Sequence, residues 1–157
     1  MAILVFALRL TIGVLLIVAG AFKAHDGIAI TGASIAGYRL LPSFAVMPLA
    51  IFLPYFEIAV GVYLSIGMFT RAVAFVVAAQ MAIFTLAVAS VVARHIQISC
   101  GCFGAAETTI ASWYDVARDA ALTGLCALIA WKAPGRFSVD ARLREASAAK
   151  EGSTAHE

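Results

Sequence analysis

Long apolar runs that contain few charges are the main pattern along the chain. A bilayer core about 30 Å thick requires about 20 apolar residues in a helix that rises about 1.5 Å per residue. Four segments have this length and character: residues 3–22, 44–68, 72–92 and 113–131. Backbone polar groups in lipid must be hydrogen-bonded within the segment, so these spans are predicted to be helices. We therefore predict an all-α fold, an integral membrane four-helix bundle over residues 1–132 that contacts membrane lipid.

The two ends of the chain need separate interpretation. The first span lacks a basic leading region and a small-residue cleavage site, so we interpret it as a membrane helix and not as a signal peptide. Residues 133–157 are charged and rich in Ala and Ser, which predicts a charged cytoplasmic tail that is partly disordered.

The distribution of basic residues predicts the orientation of the bundle. With four spans, the N-terminus, the second loop and the tail share one side, and Lys and Arg favour the cytoplasmic side. That side holds Arg71, Lys132 and the basic residues of the tail, against Lys23, Arg39 and Arg94 on the other, with Arg118 near its boundary. We therefore predict an N-in/C-in protein of the cell inner (plasma) membrane. The loop between the third and fourth spans then faces outward, into the periplasm of a bacterial cell.

The composition agrees with a membrane protein and excludes other classes. Hydrophobic residues make up 63% of the chain and charged residues 13%, and the mean hydropathy is +0.98. Soluble domains carry about 25% charged residues. The net charge is only +2 and no basic stripe is present, so no nucleic-acid partner is expected. No glycine-rich nucleotide-binding motif occurs either.

Two cysteines in the third loop are the first candidate site. Cys100 and Cys102 lie one residue apart in the segment SCGCFG, residues 99–104. Thiol–disulfide exchange uses neighbouring thiols on a pliable backbone, and the glycines of this segment supply that pliability. A disulfide in so small a ring is strained and easily reduced. The spacing therefore favours a catalytic redox pair that carries oxidising equivalents.

Two other interpretations of the Cys-Gly-Cys segment remain open. It can form a structural disulfide, although closing so short a loop stabilises a fold little. It can also bind a metal together with His95, but a structural zinc site usually has four ligands and the loop offers three. We therefore predict no metal. Cys126 lies deep in the fourth span and is interpreted as an inert buried thiol.

Charged residues inside the spans form a second set of candidates, because each is costly to insert into a membrane. Arg9 lies in the first span and Glu57 in the second. Their estimated depths, together with the reach of a guanidinium group, predict an Arg9–Glu57 ion pair between the first two helices. Such a pair more often fixes helix register than takes part in catalysis.

A further group of charges is expected near the outward face. Lys23 ends the first span, and Asp115 and Asp119 lie four residues apart on one face of the fourth. Asp119 lies a full turn deeper than Asp115, and we expect Lys23 or Arg118 to be its counter-charge. A cation near either cysteine would favour the reactive thiolate. Lys23 and His95 are the candidates for that position.

Several short motifs follow one another in order along the chain: Arg9, AGAFK at 19–23, YRLLP at 38–42, PYFEIAVG at 54–61, CGCFG at 100–104 and SWYDVARD at 112–119. This ordered series resembles the methylamine utilisation protein MauE family, within the wider DoxX-like group of four-span membrane proteins. The resemblance covers about residues 3–132. It implies a role in methylamine metabolism, in the maturation of periplasmic methylamine dehydrogenase, whose small subunit carries many disulfides.

Two functional hypotheses follow from the cysteines, the buried charges and the resemblance. In the first, Cys100 and Cys102 exchange disulfides with a periplasmic thioredoxin-like protein or a disulfide-bearing client, and electrons pass to a membrane quinone. Arg9, Glu57, Lys23 and Asp119 are then supporting charges that handle coupled protons. In the second, the protein is a non-enzymatic assembly or transport component whose Cys-Gly-Cys loop is structural. The sequence identifies no quinone site and no other cofactor.

Overall fold

The computed structural model describes residues 2–101 and 109–132, so the predictions for Cys102 and for the tail at 133–157 lie outside the described residues. The described chain forms four helices: α1 (Ala2–Gly37), α2 (Ser43–Ile66), α3 (Thr70–Ala93) and α4 (Trp113–Lys132). This confirms the predicted all-α four-helix fold.

The exteriors of the helices are suited to lipid. Helices α1, α2 and α3 are each long and apolar enough to cross a membrane. Helix α4 falls short of that hydropathy because charges lie near its start, yet its 20 residues span about 30 Å. Trp113 and Tyr114 at one end and Trp131 at the other are largely exposed, as interfacial aromatic anchors are. Helix α4 thus has the length and the end residues of a span, although only α1, α2 and α3 also have the hydropathy of one.

Helix α1 is longer than the sequence pattern predicted. The first span was expected to end at residue 22 and a loop to follow, but the helical segment continues to Gly37 with a break at Gly27. Gly27 has φ 84° and ψ 167°, a conformation that costs glycine little and other residues much. The Thr31 hydroxyl donates to the Lys23 carbonyl across this break, at 3.1 Å. Because the helix continues past Lys23, this lysine lies inside the bundle.

Helices α1 and α2 form a closely packed antiparallel pair. Gly13 and Gly61 face each other at the contact, and a Cβ atom added to Gly61 would lie 2.7 Å from the Gly13 carbonyl oxygen. A Cβ added to Gly20 would lie 2.6 Å from the Pro54 carbonyl oxygen. Small residues of this kind let helix backbones approach in membranes, where packing replaces the hydrophobic effect as the main attraction.

Helices α3 and α4 form the second antiparallel pair. They pack through larger side chains, including Val77, Cys126 and Ile129, each at most 1% exposed. The hydroxyls of Thr85 and Thr123 lie 3.4 Å apart between the two helices. Contacts within each pair are more extensive than contacts between the pairs. The bundle is therefore built from two helical hairpins.

Candidate functional site

The first polar cluster is a closed ion pair between α1 and α2. Lys23 Nζ lies 2.8 Å from each carboxylate oxygen of Glu57, and both side chains are only 6% exposed. The Gln80 side-chain amide of α3 donates to the same carboxylate at 3.4 Å. Glu57 lies in the middle part of α2, so this charge pair is deep within the bundle.

The predicted Arg9–Glu57 ion pair is therefore wrong. The Arg9 side chain packs against the end of α2, where a Cβ added to Gly67 would lie 2.6 Å from Arg9 Nη1. Gly67 follows Glu57 by ten residues, which corresponds to about 15 Å along a helix. Arg9 is 2% exposed, and its guanidinium carbon lies 5.5 Å from the centre of the Phe6 ring, a cation–π distance. The continuation of α1 brings Lys23 to Glu57 in its place.

The second polar cluster lies at the start of α4 and is organised by Arg118. Its Nε lies 3.1 Å from Asp119 Oδ1, and its Nη1 lies 3.5 Å from Asp115 Oδ1. Asp115 also accepts hydrogen bonds from the backbone N–H and the hydroxyl of Ser112, at 2.9 and 2.8 Å. The bond from the Ser112 backbone N–H to the Asp115 carboxylate is one half of a capping box, and it fixes the first turn of the helix. The counter-charge of Asp119 is thus Arg118, one of the two expected candidates.

Cys100 lies against this cluster. Arg118 Nη2 is 3.7 Å from Cys100 Sγ, within the range of a hydrogen bond to sulfur, and the cysteine is 0% exposed. The Tyr38 hydroxyl donates to the Cys100 carbonyl oxygen. The backbone N–H of Ala111 donates to the Ile98 carbonyl at 2.9 Å, which ties the two ends of the third loop together. The structure thus brings α1, the third loop and α4 together around Cys100.

Arg118 is the cation that sequence reasoning did not place beside the cysteine. Lys23 and His95 were expected there, whereas Arg118 was considered only as a partner for the aspartates. The i,i+3 spacing of Asp115 and Arg118 indicates their mutual contact. No local signal relates Arg118 to Cys100, which lies in another segment of the chain and meets it only in the folded bundle.

A small cavity lies between Lys23 of the first polar cluster and Cys100. It has a volume of about 30 Å³, and its lining includes Lys23, Thr31, Tyr38, Phe84 and Cys100. A volume of about 10–15 Å³ is enough for a water molecule when polar partners are present. The cavity therefore has the size for water between the ion pair and the cysteine, and it is too small for a quinone ring.

A larger groove of about 590 Å³ lies at the opposite end of α3 and α4, lined by Arg71, Phe75 and Trp131 among others. It is far from Cys100, so it does not supply a quinone site for the thiol chemistry. Across residues 2–101 and 109–132, no three His, Cys, Asp or Glu side chains come together as metal ligands.

Apolar helix exteriors around buried charges place this chain in the class of membrane helical bundles, and these exteriors are consistent with lipid contact. The chain belongs to the family of the methylamine utilisation protein MauE, whose family model matches residues 1–132. The match therefore extends from the start of α1 to the end of α4, which confirms the family resemblance of the sequence. No curated protein and no solved structure matches the chain.

Proposed function

We propose that this MauE-family protein is a membrane thiol–disulfide carrier that supports the maturation of exported disulfide-bearing proteins such as methylamine dehydrogenase. Cys100 and Cys102 are its redox pair. The contact between Cys100 Sγ and Arg118 Nη2 carries the proposal, because a fixed cation beside a cysteine is a common feature of reactive thiols. The family match supports the link to methylamine metabolism.

The proposal includes the N-in/C-in orientation in the inner membrane. The third loop and the start of α4 then lie on the periplasmic side, where disulfides form and persist. The start of α3 and the end of α4, with Arg71 and Lys132, lie on the cytoplasmic side, as the positive-inside rule expects.

The exchange chemistry balances without a bound cofactor. A client dithiol attacks the Cys100–Cys102 disulfide, so the client loses two electrons and two protons and gains a disulfide, while the carrier becomes a dithiol. The disulfide of a thioredoxin-like partner then accepts two electrons and two protons from that dithiol and restores the carrier. A membrane quinone, the acceptor suggested by the sequence, does not fit the cavity beside Cys100, and we assign no step to it.

The buried charges have supporting roles in this proposal. Lys23, which is hydrogen-bonded to Glu57, borders the water-sized cavity that reaches Cys100, and Asp119 accepts a hydrogen bond from Arg118. These groups are the ones that accept or return protons during exchange. Arg9 lies about 15 Å from Glu57 along α2, so its proposed role is to fix helix packing at the other end of the bundle.

Disulfide formation in cells tests the proposal. Cys100→Ser and Cys102→Ser should each abolish oxidation of the client, measured by thiol labelling of the exported dehydrogenase subunit or another periplasmic disulfide protein. Cys126→Ser is the matched control, because Cys126 is buried among apolar residues of the bundle core and should leave oxidation unchanged. Normal oxidation in both loop variants would show that the protein is not a thiol carrier.

A non-enzymatic assembly component is the second candidate. The full burial of Cys100 and the hydrogen bond from Tyr38 to its carbonyl favour it, because both features also suit a loop that is braced for docking. In that case the serine variants keep function, whereas Glu57→Gln lowers the protein level. Thiol trapping in intact cells separates the two candidates, since a bracing cysteine keeps one redox state under changing client load.

A further inference from the structure

We infer that the groove between the start of α3 and the end of α4 binds an anionic phospholipid, whose phosphate lies on Arg71 and whose acyl chain lies between the groove walls. The inference does not rest on the proposed thiol chemistry, because the groove lies at the opposite end of α3 and α4 from Cys100. It goes beyond general contact with lipid, since it names one site, one headgroup charge and the residue that recognises it.

The groove has the size and the wall chemistry of a ligand site. Its volume is about 590 Å³, and ligand sites typically measure about 300–1,000 Å³. Ala72 and Phe75 form the α3 wall, whereas Ala130 and Trp131 form the α4 wall. Phe75 is 69% exposed and Trp131 is 83% exposed, so the groove is open to the surroundings of the helices. Because α3 is apolar enough to cross a membrane, a lipid acyl chain is the apolar segment available to fill the groove.

Arg71 supplies a positive charge at the end of this groove. It is the second residue of α3, where a span meets the lipid headgroups, and Phe75 lies four residues further, about 6 Å deeper along the helix. The Arg71 side chain is exposed and lines the groove, and it has no hydrogen bond or ion pair within residues 2–101 and 109–132. A guanidinium group binds phosphate oxygens through two parallel hydrogen bonds. Arg71 can therefore bind the phosphate of a lipid whose acyl chain enters the groove.

The charge at this end of the bundle selects an anionic headgroup. The segments that meet there, residues 2–20, 58–75 and 120–132, contain no Asp or Glu. Arg9 adds a second positive charge, because its guanidinium lies beside Gly67 in the turn before α3. A zwitterionic headgroup carries its own cation next to the phosphate, and that cation is repelled by a positive surface. Basic pockets between membrane helices on the cytoplasmic side bind anionic headgroups in the same way.

A lipid suits the groove better than the other occupants. A free phosphate would gain the contact with Arg71 but nothing from the apolar walls. The tail at 133–157 is rich in charged residues, which apolar walls do not suit. A second copy that shared the groove in a symmetric pair would bring its own Arg71 to the same place, and the two positive charges would repel each other.

Fluorescence of Trp131 tests the site, because this residue lines the groove. The chain has two tryptophans, so Trp113→Phe leaves Trp131 as the single reporter. The full-length protein is placed in phosphatidylcholine vesicles with brominated phosphatidylglycerol or, separately, brominated phosphatidylcholine, because bromine quenches tryptophan on contact. We expect the anionic lipid to quench Trp131 as strongly as an about fivefold higher mole fraction of the zwitterionic lipid, the enrichment typical of one basic residue.

Two substitutions separate a site from general attraction to a positive surface. Arg71→Gln removes the phosphate contact and should abolish most of the preference for the anionic lipid. Ala72→Phe keeps Arg71 but fills the groove, and it should abolish most of the preference as well. Both residues are exposed, so we expect both variants to fold. Arg39→Gln is the matched control, because it removes an exposed arginine at the other end of the bundle and should leave the preference unchanged.

Three results would overturn the inference. Equal quenching of Trp131 by the two brominated lipids would show that no anionic lipid is preferred there, including the case in which the tail or a second copy fills the groove. A preference that persists in Arg71→Gln would show that Arg71 does not hold the headgroup. A preference that persists in Ala72→Phe would show attraction to the surface without a seat in the groove. None of these measurements involves a thiol, so their outcome is independent of the client-oxidation test.

Discussion

The two helical hairpins differ in how they use polar residues. The α1–α2 pair contains a closed ion pair, Lys23 with Glu57, in which each side chain is 6% exposed. In the α3–α4 pair, the charges lie at the start of α4, and Arg118 is 33% exposed and serves two carboxylates. Asp119 Oδ2 is buried and has no hydrogen-bond partner among the described residues. The charges of the first arrangement are matched. In the second arrangement, which contacts the Cys100 thiol, one buried carboxylate oxygen has no hydrogen-bond partner among the described residues.

This difference indicates a division of roles. A matched, desolvated pair between two helices that glycines bring close is suited to fixing their register. A guanidinium held by two carboxylates and in contact with a cysteine is suited to chemistry at sulfur. The comparison therefore assigns the α1–α2 ion pair a mainly structural role beside its proposed part in proton transfer, and it assigns reactivity to the junction of the third loop with α4. Variants in each hairpin test this division.

The largest expected effect comes from breaking the Lys23–Glu57 pair. Lys23→Met leaves the Glu57 carboxylate buried without its cation, and breaking such a pair typically costs about 3–5 kcal/mol. We expect a loss of this size in the free energy of unfolding, measured by denaturant titration in detergent. The paired variant, Lys23→Met with Glu57→Leu, should regain most of it because no charge remains buried. A paired variant as unstable as the single one would contradict the structural role of this ion pair.

A smaller effect is expected where the backbones of α1 and α2 meet. Gly61→Ala places a Cβ 2.7 Å from the Gly13 carbonyl oxygen, a backbone atom that cannot turn aside. Overpacking of this kind typically costs about 1–3 kcal/mol. Gly124→Ala in α4 is the control, because no atom lies within 4 Å of its added Cβ. It should leave stability unchanged or raise it by up to about 1 kcal/mol. Equal losses in both variants would show that α1–α2 packing is not specially close.

The smallest effect on stability is expected at Asp119. Asp119→Asn keeps an oxygen for Arg118, and Asp115 still pairs with the guanidinium. A partly exposed ion pair contributes about 1 kcal/mol or less, so the unfolding free energy should change by no more than that. Thermal unfolding of the purified protein provides the measurement. A loss comparable to that of Lys23→Met would place Asp119 among the architectural charges and remove the contrast between the hairpins.

Much of the fold can be predicted from hydropathy, and the places where this prediction fails are informative. The four helices occur where the apolar runs predicted them, because lipid accepts few other structures. The helix does not stop at residue 22, where the first span was expected to end, although Lys23 looks like a boundary residue when its partner is unknown. In the structure Glu57 neutralises it, and the helix continues to the break at Gly27 and on to Gly37.

The candidate site shows a similar limit. Cys100, Glu57, Lys23 and Asp119 were all identified as unusual, because an ionisable residue or a thiol pair is conspicuous in such an apolar chain. Their pairing was only partly predicted. Arg118 was correctly expected as a partner of Asp119, whereas Glu57 was assigned to Arg9 from estimated depths alone. A shift in how α1 lies against α2 changes the neighbour of Glu57 without changing the sequence pattern.

The sequence by itself determined the solvent of this protein, its four-helix class, its family and the short set of residues that can carry chemistry. These properties depend on the amino-acid composition and on the order of residues along the chain. Both determine the free energy of transferring each apolar segment from lipid to water. Only the tertiary structure decided that Lys23 neutralises Glu57 and that Arg118 lies against Cys100. Both contacts join separate elements, and their energies depend on distances of a few ångströms that arise when the helices pack.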